Sequence, residues 1–192
     1  MRKTILLIGA LDTKGEEVLY LRDLIQRQGV KTLVMDTGIL GPVSFPADIP
    51  RKEVARAGGG SIRELVRLRD RGVANETMIN GARSISLRQF HRGNFHGLLA
   101  VGGAQGTEVG TAAMRALPFG VPKLMVSAVA CGEARFGPFM GTRDITIMHS
   151  VVDVLGLNSF MRRILRNAAD GLFTKPSSLS GSVQSGSSKI FL

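Results

Sequence analysis

The sequence predicts an α/β fold, a Rossmann-like, open and mostly parallel sheet with helices on both faces. Short apolar runs at 4–8 and 97–101 have the length of strands that are buried on both faces, and 30–35 is a further predicted strand. Segments with helical spacing of apolar residues alternate with them along the chain. This alternation is the order expected of βαβ units, so the strands should be parallel.

The first predicted βαβ unit runs from residue 4 to about residue 38. Gly9 ends its first strand, and Thr13-Lys14-Gly15-Glu16 matches a capping box, in which the threonine side chain caps the helix. Gly29 is placed to end that helix, and the second strand leads into Asp36-Thr37-Gly38. Because the crossover is right-handed, both strands should end at the same edge of the sheet.

The middle of the chain predicts a loop followed by a helix. Prolines between residues 39 and 50 indicate an extended loop, and a loop of that length is often functional. Gly58-Gly59-Gly60-Ser61 reads as a flexible hinge with Ser61 as N-cap, in preference to a second phosphate loop. The helix that follows is expected to continue to about Asn80.

The second half continues the alternation of strands and helices. A small-residue helix is predicted at 108–117, and strands are predicted at 123–126 and 144–148. Asn158 or Ser159 should open the last helix.

The segment Gly102-Gly103-Ala104-Gln105-Gly106-Thr107 connects the third predicted strand to the head of a helix. Glycines let the backbone approach a ligand closely, and a helix N-terminus offers unpaired N–H donors and a partial positive charge. Such a turn suits a phosphate or a carboxylate. The same pattern also occurs as a tight connection that binds nothing, and both interpretations remain open here.

Composition limits the class of protein. The chain has 192 residues and 44% hydrophobic content, which suits one domain, and we assign it to residues 1–172. Residues 173–192 are rich in serine and glycine and should be disordered or an attachment at the sheet edge. The single Cys131 excludes an intramolecular disulfide. A signal peptide and a membrane helix are not predicted, so a cytoplasmic protein is expected.

The net charge of +10 favours an anionic partner. Much of the excess is arginine between residues 51 and 71 and near residue 163. Nucleic-acid binding usually adds aromatic residues for stacking or a readable motif, whereas this chain has no tryptophan and one tyrosine. Nucleic acid is therefore the weakest of the candidate partners.

Several motifs in order resemble a known family: residues 9–17, 102–107, 117–127, 141–145 and 150–158. Together they are similar to the ATP-binding family named for the N-terminal domain of the tomato mosaic virus resistance protein, and the similarity extends to about residue 169. The resemblance implies a Rossmann-like first half, followed in the family by a second α/β half. This chain corresponds to the first half, so we expect it to be a truncated or fragmentary form of the longer unit.

The chain departs from the family pattern in two loops. The family usually has Gly-Gly-Ser-Gly-Gly-Thr where this chain has Gly102-Gly103-Ala104-Gln105-Gly106-Thr107. Ser127-Ala128-Val129-Ala130-Cys131-Gly132 replaces a Ser-Thr-Met-Ala-Ser-Gly pattern. The loss of hydroxyls in both loops removes donors that could hold a phosphate.

If a nucleotide binds, the carboxyl edge of the sheet supplies its contacts. Backbone N–H groups of the 102–107 loop would hold phosphate oxygens, and Lys14 would add a point charge. Asp36 could accept from ribose hydroxyls or could be a turn residue before Gly38, with equal weight. Asp12 and Asp144, expected at one edge, could hold Mg²⁺ through water. The predicted binding residues are Asp12, Thr13, Lys14, Asp36, Thr37, Gly102, Gly103, Gln105, Gly106, Thr107, Ser127, Gly132 and Asp144.

Three functions follow as hypotheses. The first is a domain that binds ATP, with Mg²⁺ as a candidate second cofactor, for regulation or for binding a protein partner. The second is part of an ATP-dependent enzyme that acts on a small metabolite, and the third is nucleic-acid binding through the arginines. An exposed sheet edge would also favour a homo-oligomer.

Overall fold

The computed structural model describes residues 3–129 and 137–172. The strands are β1 (Thr4–Gly9), β2 (Lys31–Asp36), β3 (Gly97–Gly102), β4 (Lys123–Ser127) and β5 (Thr146–His149). The helices are α1 (Gly15–Arg27), α2 (Arg51–Ala57), α3 (Ile62–Leu68), α4 (Arg71–His91), α5 (Ala104–Ala116), α6 (Gly137–Met140) and α7 (Ser159–Gly171). Cys131, Gly132 and the segment 173–192 lie outside the described residues.

The five strands form one sheet in the order β2-β1-β3-β4-β5, and every neighbouring pair is parallel. This confirms the predicted α/β fold. The order is that of a doubly wound sheet whose direction of winding reverses between β1 and β3.

Helices cover both faces of the sheet because successive strand residues point to opposite sides. In β1, Leu6 and Ile8 pack in the core under α2, α3, α4 and α5, whereas Ile5 and Leu7 pack in the core under α1 and α7. All four side chains are buried, which explains why β1 reads as a continuous apolar run and not as an alternating one.

The outer edge of β2 is covered by the end of the 37–50 loop. The Asp48 carboxylate accepts from Val34 N–H at 2.7 Å, and Ile49 donates to the Val34 carbonyl at 2.9 Å. Asp36 N–H donates to the Ile49 carbonyl at 3.0 Å. The predicted extended loop is confirmed, and its return path pairs with the strand it follows.

The predicted single helix from residue 62 to about residue 80 is wrong. Two helices occupy this region, separated by Arg69 in the left-handed conformation with φ of 53°. The Asp70 carboxylate accepts from Gly72 N–H and Val73 N–H at 2.8 and 3.0 Å and so opens α4 as its N-cap. The N-cap at Asp70 therefore divides a segment whose apolar spacing predicted one continuous helix.

The prediction of Ser61 as N-cap is confirmed, since its hydroxyl accepts from Glu64 N–H at 3.3 Å.

The predicted capping box at Thr13 is also wrong. Helix α1 begins at Gly15 after Lys14, and no side chain caps it. The backbone makes a turn instead, in which Thr13 N–H and Lys14 N–H both donate to the Ala10 carbonyl. Other boundaries differ too: α5 begins at Ala104 and not at 108, α2 was not predicted, and β5 begins at Thr146 and not at 144.

The last helix begins as predicted. Asn158 is the N-cap of α7, and its side-chain oxygen accepts from Met161 N–H at 2.8 Å. None of the helices within 3–129 and 137–172 combines the length and the apolar character that crossing a membrane requires.

The amino edge of the sheet is held by a buried lysine. The Lys123 side chain is 0% exposed, and its ammonium donates to the carbonyls of Pro118 and Val121 and to the Asp144 carboxylate at 2.7 to 2.9 Å. Gly120 N–H donates to the other Asp144 oxygen at 2.7 Å. The hydrogen bond from Lys123 holds the pKa of Asp144 below its ordinary value. This contact ties the start of β4 to the segment before β5.

We predict that Asp144→Ala destabilises the fold by about 2 kcal/mol, because it leaves a buried ammonium without its counter-charge. Lys123→Met in the Asp144→Ala background should restore part of that loss, because it removes the buried charge. Urea unfolding of the single variants and the double variant measures both effects. A double variant as unstable as the sum of the two singles would contradict this account.

Candidate functional site

A cleft of about 880 Å³ opens where the winding of the sheet reverses, at the carboxyl ends of β1 and β3. Open α/β sheets bind ligands at this position because neighbouring loops diverge there and leave a crevice. Its lining residues are Ala10, Asp12, Thr13, Thr37, Gly38, Ile39, Leu40, Gly41, Leu65, Val66, Arg69, Asp70, Arg71, Ala74, Asn75, Met78, Gln105, Gly106 and Val109. The loops that follow β1, β2 and β3 thus meet at one cleft.

Asp12 organises one wall of the cleft. One of its carboxylate oxygens accepts from the N–H groups of Ile39, Leu40 and Gly41 at 2.9, 2.9 and 3.3 Å. Arg51 lies 3.9 Å from the same oxygen and donates to the Gly41 carbonyl at 2.8 Å. The side chain of Asp12 is only 5% exposed, so its charge is balanced mainly by the chain's own backbone donors.

The second oxygen of Asp12 is buried and has no hydrogen-bond partner among the described residues. A Cβ at Gly38 would lie 2.5 Å from it. Glycine at position 38 therefore leaves the room that the Asp12 carboxylate occupies.

Asp36 is buried below the cleft and does not line it. One of its carboxylate oxygens accepts from Leu11 N–H at 2.9 Å and from Gly38 N–H at 2.8 Å. Burial raises the pKa of this carboxyl above its ordinary value, and the two backbone hydrogen bonds oppose that shift. Of the two predicted roles, these contacts match the turn residue and not the ribose acceptor.

Lys14 points away from the cleft. Its ammonium donates to the Val154 carbonyl, in the connection between β5 and α7. Next to it, the buried Glu17 carboxylate accepts from Gly156 N–H at 2.6 Å. These two residues fasten the start of α1 to a segment about 140 residues away, so the predicted phosphate contact of Lys14 has no support in this geometry.

Only part of the glycine-rich loop faces the cleft. Gln105 and Gly106 line it, in the first turn of α5, whose N-cap Gly103 has no side chain to satisfy the free N–H groups. Thr107 is buried: its N–H and its hydroxyl each lie 2.8 Å from the Gly103 carbonyl. The Thr107 hydroxyl also lies 2.8 Å from the hydroxyl of Ser127, which is buried as well.

Thr107 and Ser127, both among the predicted binding residues, thus join α5 to β4 through their hydroxyls. Gly102 is also structural, since a Cβ there would lie 2.7 Å from the Cα of Gly106. Among the other predicted residues, Thr13 and Thr37 do line the cleft.

The expectation that Asp144 shares an edge with Asp12 is wrong. Asp12 follows the carboxyl end of β1, whereas Asp144 precedes β5 and pairs with Lys123 at the start of β4. Because all strands are parallel, the two carboxylates lie at opposite edges and cannot hold one ion. The part of the chain that the structure describes has no group of three or more residues suited to hold a metal.

The sequence analysis missed the residues at the junction of α3 and α4. Arg69, Asp70 and Arg71 line the cleft, whereas the sequence analysis counted these arginines only toward the net positive charge. Asn75 also lines it and donates to the Glu108 carboxylate on α5. The sequence feature that could have revealed these residues is Asp70. Aspartate is a favoured N-cap, so its place inside a predicted helix could have indicated that one helix ends and another begins there. The arginines on either side of Asp70 then lie at a helix junction and not on a helix face.

Two aspartates and two arginines line the cleft, and the two kinds of charge differ in their partners. Backbone N–H groups satisfy one carboxylate oxygen each of Asp12 and Asp70, whereas Arg69 and Arg71 form no ion pair within 3–129 and 137–172. Both guanidinium groups are thus available to an anionic ligand.

Comparison with known proteins identifies the family. Residues 3–177 match the N-terminal domain of UPF0261, described as an uncharacterised protein family. The chain belongs to this family. A UPF0261 protein of Clostridium tetani is 43% identical over 172 residues, which are 90% of this chain and 42% of that protein. The chain therefore spans less than half the length of the curated relatives it matches first.

The predicted resemblance to the tomato protein has a counterpart among the relatives. The ToMV susceptible protein tm-1(GCR26) of Solanum lycopersicum is 28% identical over 182 residues, covering 84% of this chain and 23% of that protein. Among solved structures, a Xanthomonas campestris protein described as a hydrolase of the alpha/beta superfamily aligns with 90% of this chain and 98% of its own. That alignment has 13% identity and a TM-score of 0.41.

We predict that Asp12→Ala loosens the 39–41 wall, because three backbone N–H groups lose their acceptor. The free energy of unfolding should fall by about 2 kcal/mol, and the loop should become sensitive to protease. Denaturant unfolding and limited proteolysis measure these changes. Asp48→Ala, which removes an acceptor from the same loop outside the cleft, is the control. Equal cleavage between residues 39 and 41 in both variants would contradict a special role for Asp12.

A second prediction concerns pH. Because the folded carboxyl of Asp36 has a raised pKa, the folded state binds this proton more tightly than the unfolded state does. Its contribution to stability is therefore largest at acid pH and declines as the pH rises from the ordinary carboxyl range through the raised value.

Asp36→Asn keeps an oxygen acceptor without the charge, so the variant should lack this decline. The difference in unfolding free energy between variant and parent should shift in favour of the variant from about pH 4 to pH 7. Chemical unfolding at several pH values measures it, and a difference independent of pH would argue against a raised pKa.

Proposed function

We propose that the cleft binds a nucleotide, with ATP as the first candidate, and that the domain serves regulation or the binding of a protein partner. One observation carries the proposal. A single cleft at the reversal of the sheet brings together the uncapped start of α5 and two arginines that form no ion pair within the described ranges.

The size and polarity of the cleft suit such a ligand. A volume of about 880 Å³ lies within the range of roughly 300–1,000 Å³ found for small-molecule and cofactor sites. Leu65, Val66, Met78 and Val109 supply an apolar side for a base. Polar groups are supplied by the start of α5 and by Arg69 and Arg71, where an anionic end can be hydrogen-bonded.

The first turn of α5 is the proposed phosphate contact. Its N–H groups lack partners within the helix, and the helix dipole favours negative charge at this end. Gly106 leaves its side of the turn open, because a Cβ there would meet only the Val101 carbonyl, at 3.6 Å. A ligand oxygen can therefore approach the backbone closely.

The cationic contacts differ from those first predicted. Arg69 and Arg71 replace Lys14, whose ammonium is bound to the Val154 carbonyl. If Mg²⁺ accompanies the nucleotide, the unpartnered oxygen of Asp12 is its proposed carboxylate ligand, and the phosphates would supply the other ligands.

An enzymatic role is the alternative, as part of an ATP-dependent enzyme that acts on a small metabolite. The tomato relative is named for ToMV susceptibility and not for a reaction, so we place binding first. Release of phosphate or AMP by a longer relative but not by this chain would assign the reacting groups to the remainder of the polypeptide. Nucleic-acid binding through Arg63 and Arg67 would show as affinity that falls steeply with salt.

The test is calorimetric titration of the chain with ATP, with and without Mg²⁺, and with GTP and NAD for comparison. Gly106→Val should weaken ATP binding at least tenfold, because its side chain fills the space in front of the first turn of α5. Gly106→Ala is the matched control, since its Cβ makes only ordinary contact and alanine favours the helix.

Both variants should keep the thermal midpoint of the parent within a few degrees. Absence of saturable ATP binding by the folded parent would overturn the proposal. Unchanged affinity in Gly106→Val would remove α5 from the site.

A further inference from the structure

The two walls of the cleft, the 39–41 segment and α3, differ in how many contacts hold them in place. On one side, the 39–41 segment is held by the Asp12 carboxylate and by Arg51. On the other side, α3 has a single buried residue, Leu65. Within residues 3–129 and 137–172, the hydrogen bonds and ion pairs of residues 62–68 stay within α3 and its cap.

Both ends of α3 have backbone conformations suited to a hinge. Gly59 lies before the helix with φ of +88°, and a Cβ there would have nothing within 4 Å. Arg69 ends the helix with φ of 53°, a conformation that costs energy for a residue with a side chain. Helix α3 is therefore a short rigid element between two candidate hinges, at Gly59 and at Arg69.

Apolar side chains are exposed across the mouth of the cleft. Leu40 on the fixed wall is 80% exposed, and Val66 on α3 is 41% exposed. Both line the cleft, so movement of α3 towards the fixed wall would bury them together. Arg69 lies at the hinge itself, so the same movement changes the direction in which its side chain projects.

We propose that α3 and Arg69 form a hinged arm that closes over the cleft and brings the Arg69 guanidinium onto the anionic end of the ligand. Closure explains three features together: the weak attachment of α3, the left-handed Arg69, and the exposed apolar residues on the two walls. The ligand contact rests on the proposed function, whereas the closing movement is a property of the chain alone.

The closing movement is tested without ligand by disulfide trapping. Cys131→Ser gives a background without thiols, because the chain has one cysteine. Leu40→Cys with Val66→Cys should then form a disulfide at least about tenfold faster than the matched pair of Leu40→Cys with Leu68→Cys. Leu68 is exposed on the same helix but does not line the cleft. Equal rates for the two pairs would overturn the arm.

The ligand contact is tested by ATP affinity. Arg69→Asn removes the charge while keeping a residue that tolerates the left-handed conformation, and it should weaken ATP binding roughly tenfold or more. Arg63→Gln, on the outer side of α3 and away from the cleft, is the control and should leave affinity unchanged. Adenosine, which lacks phosphate, should not distinguish Arg69→Asn from the parent.

The two proposals fail separately. If ATP does not bind the parent, the proposed function and the Arg69 contact both fall, and the trapping rates still decide whether α3 closes. If ATP binds but Arg69→Asn and Arg63→Gln behave alike, the nucleotide site stands and the role of Arg69 is refuted.

Discussion

The geometry of the cleft depends on the Asp12 carboxylate. A loop with prolines and little secondary structure of its own must find acceptors for its backbone N–H groups, and one oxygen of Asp12 accepts three of them. Gly38 leaves room for the carboxylate, and Asp36 holds the adjoining turn from below. The two acidic residues that seemed suited to a ligand thus build the wall that a ligand would meet.

Strand positions were predictable because burial on both faces demands unbroken apolar runs, and 4–8 and 97–101 satisfy that demand. The meeting of the loops after β1, β2 and β3 followed from parallel pairing alone. Side-chain partners were not predictable in this way. Lys14 bonds to a carbonyl 140 residues away, and the Thr107 hydroxyl finds Ser127 on the neighbouring strand. Such contacts depend on how distant segments pack against one another, and the residue types at loop positions do not determine that packing.

The arginines are a second case in which the sequence alone does not predict a side chain's surroundings. In the sequence, Arg63 and Arg69 both belong to the arginine-rich region between residues 51 and 71, and nothing there separates their roles. A cap at Asp70 and a left-handed residue before it place Arg69 at the cleft and leave Arg63 outside it. The Asp70 side chain accepts backbone N–H groups and so ends one helix and begins the next. This local effect makes Arg69 a candidate ligand contact and leaves Arg63 in solvent.

The segment at Asp48 and Ile49 has a consequence for the growth of the sheet. It takes up the outward hydrogen-bonding groups of β2 between Val34 and Asp36, so a further strand cannot add there without displacing it. At the other end of the sheet, no strand among the described residues pairs with the outer side of β5. The two edge strands of the sheet therefore differ in how readily another strand could pair with them.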